Sequence, residues 1–198
     1  MSLEGEYLQG PAEALRAQEQ RLQGCRKSQL CEARHTIVFG SGNPEADLVV
    51  IGEGPGADED AQGLPFVGRA GQLLTRMLAS VDLTREEIFI TNAVLCRPPA
   101  NRNPEPDELA ACAPFLAEKL AVIQPKVILT LGSVATQSLL RTKEPIGKLR
   151  GRLHRYGDAV LVATFHPAFL LRNPGQDYKR MAWDDLKLAK REYDARRT

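Results

Sequence analysis

Residues 48–71, LVVIGEGPGADEDAQGLPFVGRAG, are the stretch of the sequence that decides the fold. The apolar run Leu48–Ile51 predicts a strand that is buried on both faces. The segment Gly52–Gly56 then breaks the strand, and its glycines let backbone N–H groups turn outward, toward a small or anionic ligand. The pattern therefore predicts a strand that ends in a ligand-binding loop. A turn whose glycines serve geometry alone is the alternative.

The loop continues into a turn and a helix. Acidic residues occupy positions 58–60, and the segment Gly63–Gly68 is a rigid turn that carries one aromatic ring, that of Phe66. A helix is predicted from about Arg69, because four apolar residues between positions 73 and 78 fall on one helical face. Strand, loop and helix thus form one βα unit.

Strands and helices continue to alternate along the chain. Apolar runs predict further strands at residues 37–39, 88–94, 126–131, 152–156 and 159–164. Helical spacing predicts helices at about residues 11–31, 107–123, 132–140 and 177–196. Alternation of this kind predicts a three-layer α/β/α sandwich around a central, mostly parallel, twisted sheet. Residues 1–198 are expected to form one domain, because neither an internal repeat nor a second domain is visible.

The composition is that of an ordinary globular protein. Of the 198 residues, 43% are hydrophobic and 26% are charged. A net charge of +1 gives no whole-molecule attraction to nucleic acid, so DNA contact has to come from a local patch, such as the six basic residues between Arg141 and Arg155. No apolar run approaches the roughly 20 residues of a membrane span, and residues 1–6 lack the features of a signal peptide. A cytoplasmic protein without membrane contact is therefore expected.

Three polar residues stand at the ends of predicted strands. Glu53 follows the strand at 48–51, Asn92 lies near the end of the strand at 88–94, and His166 follows the strand at 159–164. Sites in doubly wound sheets lie beyond the carboxyl ends of the strands, which meet at one edge. We therefore expect these three side chains to lie close together. His35 and His154 are expected to be structural.

Three segments follow one another along the chain: GEGPGADEDAQGLPFVG, TNAVLCRPPANRNPEPDE and FHPAFLLRNP. In this order they resemble the motifs of the family 4 uracil-DNA glycosylases, the iron–sulfur branch of the uracil-DNA glycosylase superfamily. Together with the cysteines, the resemblance extends from about Cys25 to Pro174. It implies the uracil-DNA glycosylase fold and an enzyme of base excision repair. Such an enzyme hydrolyses the N-glycosidic bond of deoxyuridine in DNA, releases uracil and leaves an abasic site.

The resemblance also implies a role for each site residue. Glu53 takes the acidic position of the first motif, and Phe66 is the aromatic residue that stacks on the base. Apart from the resemblance, the backbone amides of Glu53 and Gly54 are further candidates for contact with the base. Asn92 takes the position of the amide that reads the base, and His166 that of the catalytic histidine.

The chemistry of uracil agrees with these roles. Uracil presents an N3–H donor beside an O4 acceptor, and one asparagine amide pairs with both, whereas cytosine reverses the pattern. Bond cleavage leaves negative charge on uracil, so a donor from His166 to O2 stabilises the transition state. The carboxylate of Glu53 positions water or offsets the positive charge of the sugar, and Asp58 and Asp60 are weaker candidates for that role.

Other residues are expected to contact the DNA, since the target base has to leave the duplex before it is cleaved. By resemblance, Leu170 and Leu171 fill the gap in the base stack and Arg172 meets a phosphate. Packing against the last helix is the alternative for each leucine. Arg97 is a further candidate for DNA contact. The expected partner is uracil-containing DNA, single- or double-stranded, and the expected enzyme is a monomer of prokaryotic type that works at the nucleoid.

The four cysteines, Cys25, Cys31, Cys96 and Cys112, are not expected to form disulfides in a reducing compartment. By resemblance they hold a structural [4Fe-4S] cluster, for which four cysteine ligands are usual. The family spacing C-x₂-C would place a cysteine at Ser28, whereas the next cysteine is Cys31. We expect Cys31 to stay on the same helical face and to act as the ligand. An incomplete cluster, a zinc site and free buried thiols are the alternatives.

Two other functions remain open. One is a DNA-binding or replication-associated module that keeps the fold without catalysis, which the joint presence of Glu53, Asn92 and His166 disfavours. The other is a nucleotide-binding enzyme, but residues 52–63 contain no basic residue and no G-x-x-x-x-G-K-[ST] motif. A related branch of the superfamily uses an inserted histidine that bonds covalently to the sugar. Residues 97–107 contain no histidine, so that chemistry is not expected.

Overall fold

The computed structural model describes residues 10–197, which form one six-stranded sheet between two layers of helices. The strands are β1 (Ser41–Gly42), β2 (Leu48–Gly52), β3 (Phe89–Asn92), β4 (Val127–Leu131), β5 (Leu153–Tyr156) and β6 (Ala159–Thr164). Their order across the sheet is β1-β3-β2-β4-β6-β5. The four central strands are parallel, while β1 and β5 pair antiparallel at the two edges. The predicted mostly parallel α/β fold is confirmed.

Helices cover both faces of the sheet. They are α1 (Pro11–Leu22), α2 (Leu30–Ala33), α3 (Ala57–Gln62), α4 (Arg69–Ala79), α5 (Pro106–Ile123), α6 (Ser133–Leu140), α7 (Ile146–Leu149), α8 (Pro167–Arg172) and α9 (Gln176–Arg196), with a 3-10 turn at Pro99–Asn101. On β2, Val49 and Ile51 belong to the core that contains Leu120 of α5, whereas Leu48 and Val50 belong to the core beneath α4 and α9. Successive side chains alternate across a strand, so the apolar run of β2 is buried on both faces as predicted.

The register of the parallel strands brings their carboxyl ends to one edge. Gly52 of β2 pairs with Asn92 of β3. Thr164 ends β6 at the same edge, two residues before His166. Glu53, which follows β2 directly, therefore lies at the edge where β3 and β6 also end.

The N-terminal part of the chain differs from the prediction of one helix at residues 11–31. Helix α1 ends at Leu22, and Gly24 then takes a left-handed conformation with a φ of +72°, which favours glycine and turns the chain away. The short helix α2 begins only at Leu30. Cys25 and Cys31 thus lie on separate segments, and the expectation that they share one helical face is wrong.

The expected strand at residues 37–39 is also wrong. The N–H of Val38 donates to the carbonyl of Leu95 at 2.8 Å, but the paired edge strand is β1, which lies further along the chain. The other predicted strands and helices are present with shifted ends. The short helices α2, α3, α7 and α8 are missing from the prediction, because four to six residues are too few to show a helical period.

Helix α9 is fixed to the sheet by a buried carboxylate. Asp185 is fully buried, and it accepts hydrogen bonds from the guanidinium of Arg150 at 2.7 and 2.9 Å and from the hydroxyl of Thr164 at 2.8 Å. Removal of either charge would leave the other buried and unpaired. Arg150 is one of the six basic residues of the predicted DNA-binding patch, and its side chain stabilises the fold through this ion pair.

Within residues 10–197, no helix has both the length and the apolar character that a membrane crossing requires. The expected lack of a signal peptide rests on residues 1–6, which lie outside the described residues.

Candidate active site

A cavity of about 420 Å³ opens at the carboxyl edge of the sheet. The residues singled out from the sequence that line it are Glu53, Gly54, Asp58, Phe66, Asn92, His166 and Arg172. They come from separate segments, which the parallel register brings to one place. The expectation that the strand-end side chains lie close together is confirmed.

Asn92 ends β3 and is almost completely buried, with 2% of its surface exposed. Its side-chain oxygen Oδ1 has no hydrogen-bond partner among the described residues. A buried acceptor without a partner costs about 1 to 3 kcal/mol unless a ligand supplies a donor. The amide is therefore suited to a ligand that offers an N–H group.

A buried lysine holds the residue that precedes Asn92. The Nζ atom of Lys119, on α5, donates to the hydroxyl of Thr91 at 3.1 Å and to the carbonyl of Phe39 at 2.5 Å. Complete burial lowers the pKa of Lys119 to about 7. These bonds tie α5 to the end of β3 and so fix the backbone from which the amide projects.

The ring of Phe66 packs directly over Gly52. A Cβ atom at residue 52 would lie 2.4 Å from Cζ of Phe66, closer than any real side chain tolerates. The ring centroids of Phe66 and His166 are 5.8 Å apart, and the ring planes are inclined by 30°. Gly52 is thus a functional residue that the sequence pattern presents only as part of a turn.

His166 is the N-cap residue of α8, and its Nδ1 atom accepts a hydrogen bond from the backbone N–H of Ala168 at 3.0 Å. Because a backbone amide only donates, Nδ1 carries no proton and the proton of the neutral ring lies on Nε2. Burial, assisted by the positive charge of Arg172, lowers the pKa of His166 to about 4. At pH 7 the imidazole is therefore a neutral group with one N–H donor.

The carboxyl group of Glu53 shares the cavity with the guanidinium of Arg172. Burial raises the pKa of Glu53 above its ordinary value, and the positive charge of Arg172 opposes that rise. The cavity thus holds a partly buried carboxylate together with a cation that favours its ionised form.

The other acidic candidates for the role of Glu53 lie differently. The Oδ1 atom of Asp60 accepts hydrogen bonds from the backbone N–H groups of His35 and Thr36, at 2.8 and 3.1 Å. Asp60 is buried and holds the chain before β1, so the expectation that it substitutes for Glu53 is wrong. Asp58 is exposed and lines the cavity.

One wall of the cavity comes from a loop before α5 that was not assigned to the site. Its lining residues are Pro98, Asn101, Arg102 and Asn103. Arg102 forms a two-bond ion pair with the buried Glu108 of α5, at 2.7 and 3.0 Å, which anchors the loop. The loop lies within the second motif of the family resemblance, but its prolines and asparagines by themselves indicate irregular backbone and no particular binding role.

The residues expected to contact DNA divide into exposed and buried ones. Arg172 is exposed at the cavity, and Leu171 is 36% exposed. Leu170 is only 3% exposed and belongs to the core, so its predicted insertion into DNA is wrong. Neighbouring residues of a helix face different directions, which is why the two leucines differ. Arg97 donates from Nε to Oδ1 of Asn101 at 2.9 Å, beside the cavity wall.

Three cysteines lie near one another beside the N-terminal segment. Burial raises the pKa of the Cys96 and Cys112 thiols, and the neighbouring Cys25 raises both further. Arg34 donates a hydrogen bond to the sulfur of Cys96 at 3.3 Å. The three thiols thus influence one another electrostatically, and the cation of Arg34 lies against Cys96.

Cys31 belongs to the same region. It follows Leu30, which packs in one apolar cluster with Cys96. As the side chains lie, residues 10–197 contain no group of three or more His, Cys, Asp or Glu that could hold a metal ion. The four thiols therefore share one region without forming a closed set of ligands.

Comparison with known proteins gives consistent results. The sequence model of the family described as the Uracil DNA glycosylase superfamily matches residues 39–187. A Type-4 uracil-DNA glycosylase of Saccharolobus solfataricus is 46% identical over 159 residues, which are 76% of this chain and 74% of that protein. A Type-4 uracil-DNA glycosylase of Thermotoga maritima is 42% identical over 173 residues, 86% and 90% of the two chains. A Type-5 uracil-DNA glycosylase of Thermus thermophilus is 34% identical over 174 residues, 78% and 79% of the two chains.

Proposed function

This chain belongs to the uracil DNA glycosylase superfamily, and we propose that it is a type-4 enzyme of DNA repair that hydrolyses the N-glycosidic bond of deoxyuridine. Uracil is released and an abasic site remains in the DNA. The observation that carries the proposal is the single cavity that gathers an amide, a neutral imidazole, a carboxylate and an aromatic ring. A module that only binds DNA would not need these four groups together.

Base recognition depends on Asn92 and Phe66. The target nucleotide leaves the stack, and uracil enters the cavity. Oδ1 of Asn92, which lacks a partner in the free protein, accepts from N3–H of uracil, and Nδ2 donates to O4. The ring of Phe66 stacks on the base, a contact worth about 1 to 3 kcal/mol in comparable sites. Cytosine presents an acceptor where uracil presents a donor, so it leaves buried polar groups unpaired and is rejected.

His166 stabilises the leaving base. As the glycosidic bond breaks, its electron pair moves into the uracil ring and O2 gains negative charge. The Nε2–H group donates to O2, and this bond strengthens as the charge develops. Because the pKa of His166 is about 4, the ring is a neutral hydrogen-bond donor at pH 7 and has no additional proton to transfer.

Glu53 acts on the sugar side of the bond. The C1′ atom becomes positively charged as uracil leaves, and a carboxylate nearby stabilises that charge. The same carboxylate orients the attacking water, whose oxygen bonds to C1′ while its proton is transferred away and finally neutralises the uracil anion. Arg172 favours the ionised form of Glu53 against the effect of burial.

The size of the site supports a proposal about the form of the DNA substrate. We propose that single- and double-stranded DNA are both accepted, because the cavity takes only the extruded nucleotide, which either form supplies. Leu171 fills the gap in the stack and Arg172 meets a phosphate. Arg97 stays a predicted DNA contact. A monomeric state and a cytoplasmic location at the nucleoid also stay predictions.

We further propose that Cys25, Cys31, Cys96 and Cys112 hold a structural [4Fe-4S] cluster. The donor set fits such a group, because all four thiols are free of disulfides and Arg34 places an N–H group on one sulfur. When bound, the cluster would link the segment after α1 to the chain before and within α5. The four side chains do not form a metal-binding group as they lie, so rotation of the thiols is required.

The function is tested with an oligonucleotide that contains one uracil. The protein is incubated with this substrate, abasic sites are cleaved with alkali, and the length of the product is measured, with thymine and cytosine at the same position as controls. We expect cleavage at uracil alone. The change His166→Ala should lower the excision rate by about 10²-fold or more, as loss of one such donor typically does. A wild-type protein that leaves uracil in the DNA would refute the proposal.

A further inference from the structure

We propose that Glu59 and Arg85 are positioning residues that clamp Phe66 from two sides and thereby set how tightly the enzyme binds extruded uracil. The inference rests on the proposed function, because it concerns the aromatic wall of the same site. Arg85 lies in the connection between α4 and β3, outside the three sequence motifs. Glu59 lies within the first motif, on α3.

The clamp is needed because the backbone of Phe66 is strained. Its φ is +53°, in the left-handed region that bulky side chains rarely adopt. Such a conformation persists only where the surroundings hold it, and it is common where a side chain must be placed for function. Here it places the ring over Gly52 and beside His166.

Arg85 holds the carbonyl side of the turn. Its Nη2 atom donates to the carbonyl of Pro65 at 2.7 Å, and its Nη1 atom donates to the carbonyl of Phe66 at 2.8 Å. Nη1 also lies 3.2 Å from the hydroxyl of Thr75 on α4, which steadies the guanidinium. A planar guanidinium thus bridges two successive carbonyls, which a single-point donor does less well.

Glu59 holds the amide side of the same turn. Its Oε2 atom accepts hydrogen bonds from the backbone N–H groups of Val67 at 2.8 Å and Gly68 at 2.7 Å. Its Oε1 atom accepts from the N–H of Gly56 at 3.0 Å, which ties the turn to the glycine-rich loop. Arg85 therefore fixes the carbonyl groups of Pro65 and Phe66, and Glu59 fixes the N–H groups of Val67 and Gly68. All four hydrogen bonds involve a charged side chain and are of the stronger, charge-assisted kind.

A change at Arg85 tests the clamp separately from the chemical step, because this residue lies outside the cavity. It is not among the described residues that line the cavity, and its side chain donates hydrogen bonds to the turn and to α4. Any effect of Arg85 on uracil must therefore pass through the position of Phe66. A stacking ring contacts the base before and during bond cleavage, so its displacement weakens binding more than it slows the chemical step.

The first experiment uses Arg85→Met, which keeps the length of the side chain and removes its donors. Single-turnover excision is measured over a range of enzyme concentrations, which separates the half-saturating concentration from the maximal rate. We expect the half-saturating concentration for uracil-containing DNA to rise about tenfold, with the maximal rate changed less than threefold. Affinity for DNA that carries a tetrahydrofuran abasic analogue, which has no base to stack on, should stay unchanged. Arg76→Met, at an exposed arginine of α4, is the matched control.

A double-mutant cycle with Phe66→Ala tests whether the effect passes through the ring. In the Phe66→Ala background, Arg85→Met should cause little further loss. Equal losses in both backgrounds, or an equal loss for the abasic analogue, would overturn the clamp while leaving the enzyme a uracil-DNA glycosylase. A wild-type protein without uracil excision would overturn the proposed function itself.

Glu59→Gln tests the clamp from the other side, and it gives an answer if Arg85→Met proves too unstable to assay. The amide keeps one acceptor but sets an NH₂ group against backbone N–H groups. We expect the same selective rise in the half-saturating concentration, and the same dependence on Phe66. A loss in Glu59→Gln that does not depend on Phe66 would overturn the clamp.

Discussion

The side-chain oxygen of Asn92 occupies space that any side chain at Gly52 would need, because a Cβ atom there would lie 2.5 Å from Oδ1. The two residues are register partners on neighbouring parallel strands. The same Cβ atom would meet the ring of Phe66 at 2.4 Å. The missing side chain at residue 52 is therefore what lets the amide and the ring approach one base together.

The change Gly52→Ala should disable the site without unfolding the protein. One methyl group displaces both the amide of Asn92 and the ring of Phe66, and a shift of this size in a reacting group costs about 10²-fold in rate. The measurement is single-turnover excision of uracil, with circular dichroism to confirm the fold. Gly147→Ala is the control, because a Cβ atom there meets nothing within 4 Å. Near-normal excision by Gly52→Ala would contradict this reading of the site.

Excision should fall in acid as Glu53 takes up a proton. Burial raises the pKa of this carboxyl above its ordinary value of 4.5, so the rate should decline already above that pH. The pKa of His166 is lower, at about 4, so Glu53 is the first of the two groups to take up a proton as the pH falls. The pH profile of the maximal single-turnover rate tests this, with Glu53→Gln as the comparison. If the slower Glu53→Gln enzyme shows the same acid limb, Glu53 is not its source.

Stability should also depend on pH through His166. The pKa of this group is about 4 in the native protein, against an ordinary value of 6.5. Between these values the unfolded chain binds a proton that the native protein does not. The contribution to the free energy of unfolding is therefore complete above pH 6.5 and is lost progressively as the pH falls to about 4.

Urea unfolding from pH 7.5 to 4.5 measures that loss. The change His166→Ala should make the decline shallower over this range, whereas His35→Ala, at an exposed histidine, should not. Parallel curves for the wild type and His166→Ala would mean that the imidazole is not held neutral by the fold.

Asn92→Asp should weaken the choice of uracil over cytosine. A carboxylate only accepts hydrogen bonds, so it loses the donor to O4 of uracil and gains an acceptor for the amino group of cytosine. We expect excision of uracil to fall by about 10²-fold or more, since a site built to pair with a polar group discriminates strongly. The ratio of kcat/KM for the two bases is the measurement. An unchanged ratio would show that another group reads the base.

Cys31→Ser should remove the metal cofactor that we propose. With one of four thiolates replaced, the purified protein should lose iron and its absorbance near 400 nm. Restoring a cysteine three residues earlier, with Ser28→Cys in the same chain, should recover both, because that position matches the spacing of the family. Full iron content in Cys31→Ser would show that Cys31 is not a ligand. Zinc in place of iron in the unmodified protein would contradict the cluster itself.

Much of the fold follows from local pattern. The run Leu48–Ile51 is apolar at every position, and only a strand covered on both faces buries all of it. Once the strands are parallel, their carboxyl ends meet, which is why Asn92 and His166 could be placed together from sequence. Leu170 could not be placed in this way, because the pattern does not show which side of a short helix faces the core.

The contacts that hold the site residues in position could not be predicted from the sequence, because they join segments that are far apart along the chain. Arg85 reaches a carbonyl nineteen residues away, and nothing near it in the sequence marks that partner. The tautomer of His166 depends on a cap bond of a six-residue helix, too short to show a period. The break of the first helix at Gly24 likewise depends on a backbone angle that one glycine permits but does not require.

The position of α9 has a consequence for synthesis of the protein. Leu186, Ala189 and Tyr193 of this last helix cover the same core that holds Leu129 and Val162 of the central strands, and Asp185 supplies the partner of Arg150. A ribosome makes those strands first. The growing chain therefore carries an uncovered apolar sheet face and an unmatched guanidinium until α9 has emerged from the ribosome. Before that point the nascent chain is a natural client for a chaperone.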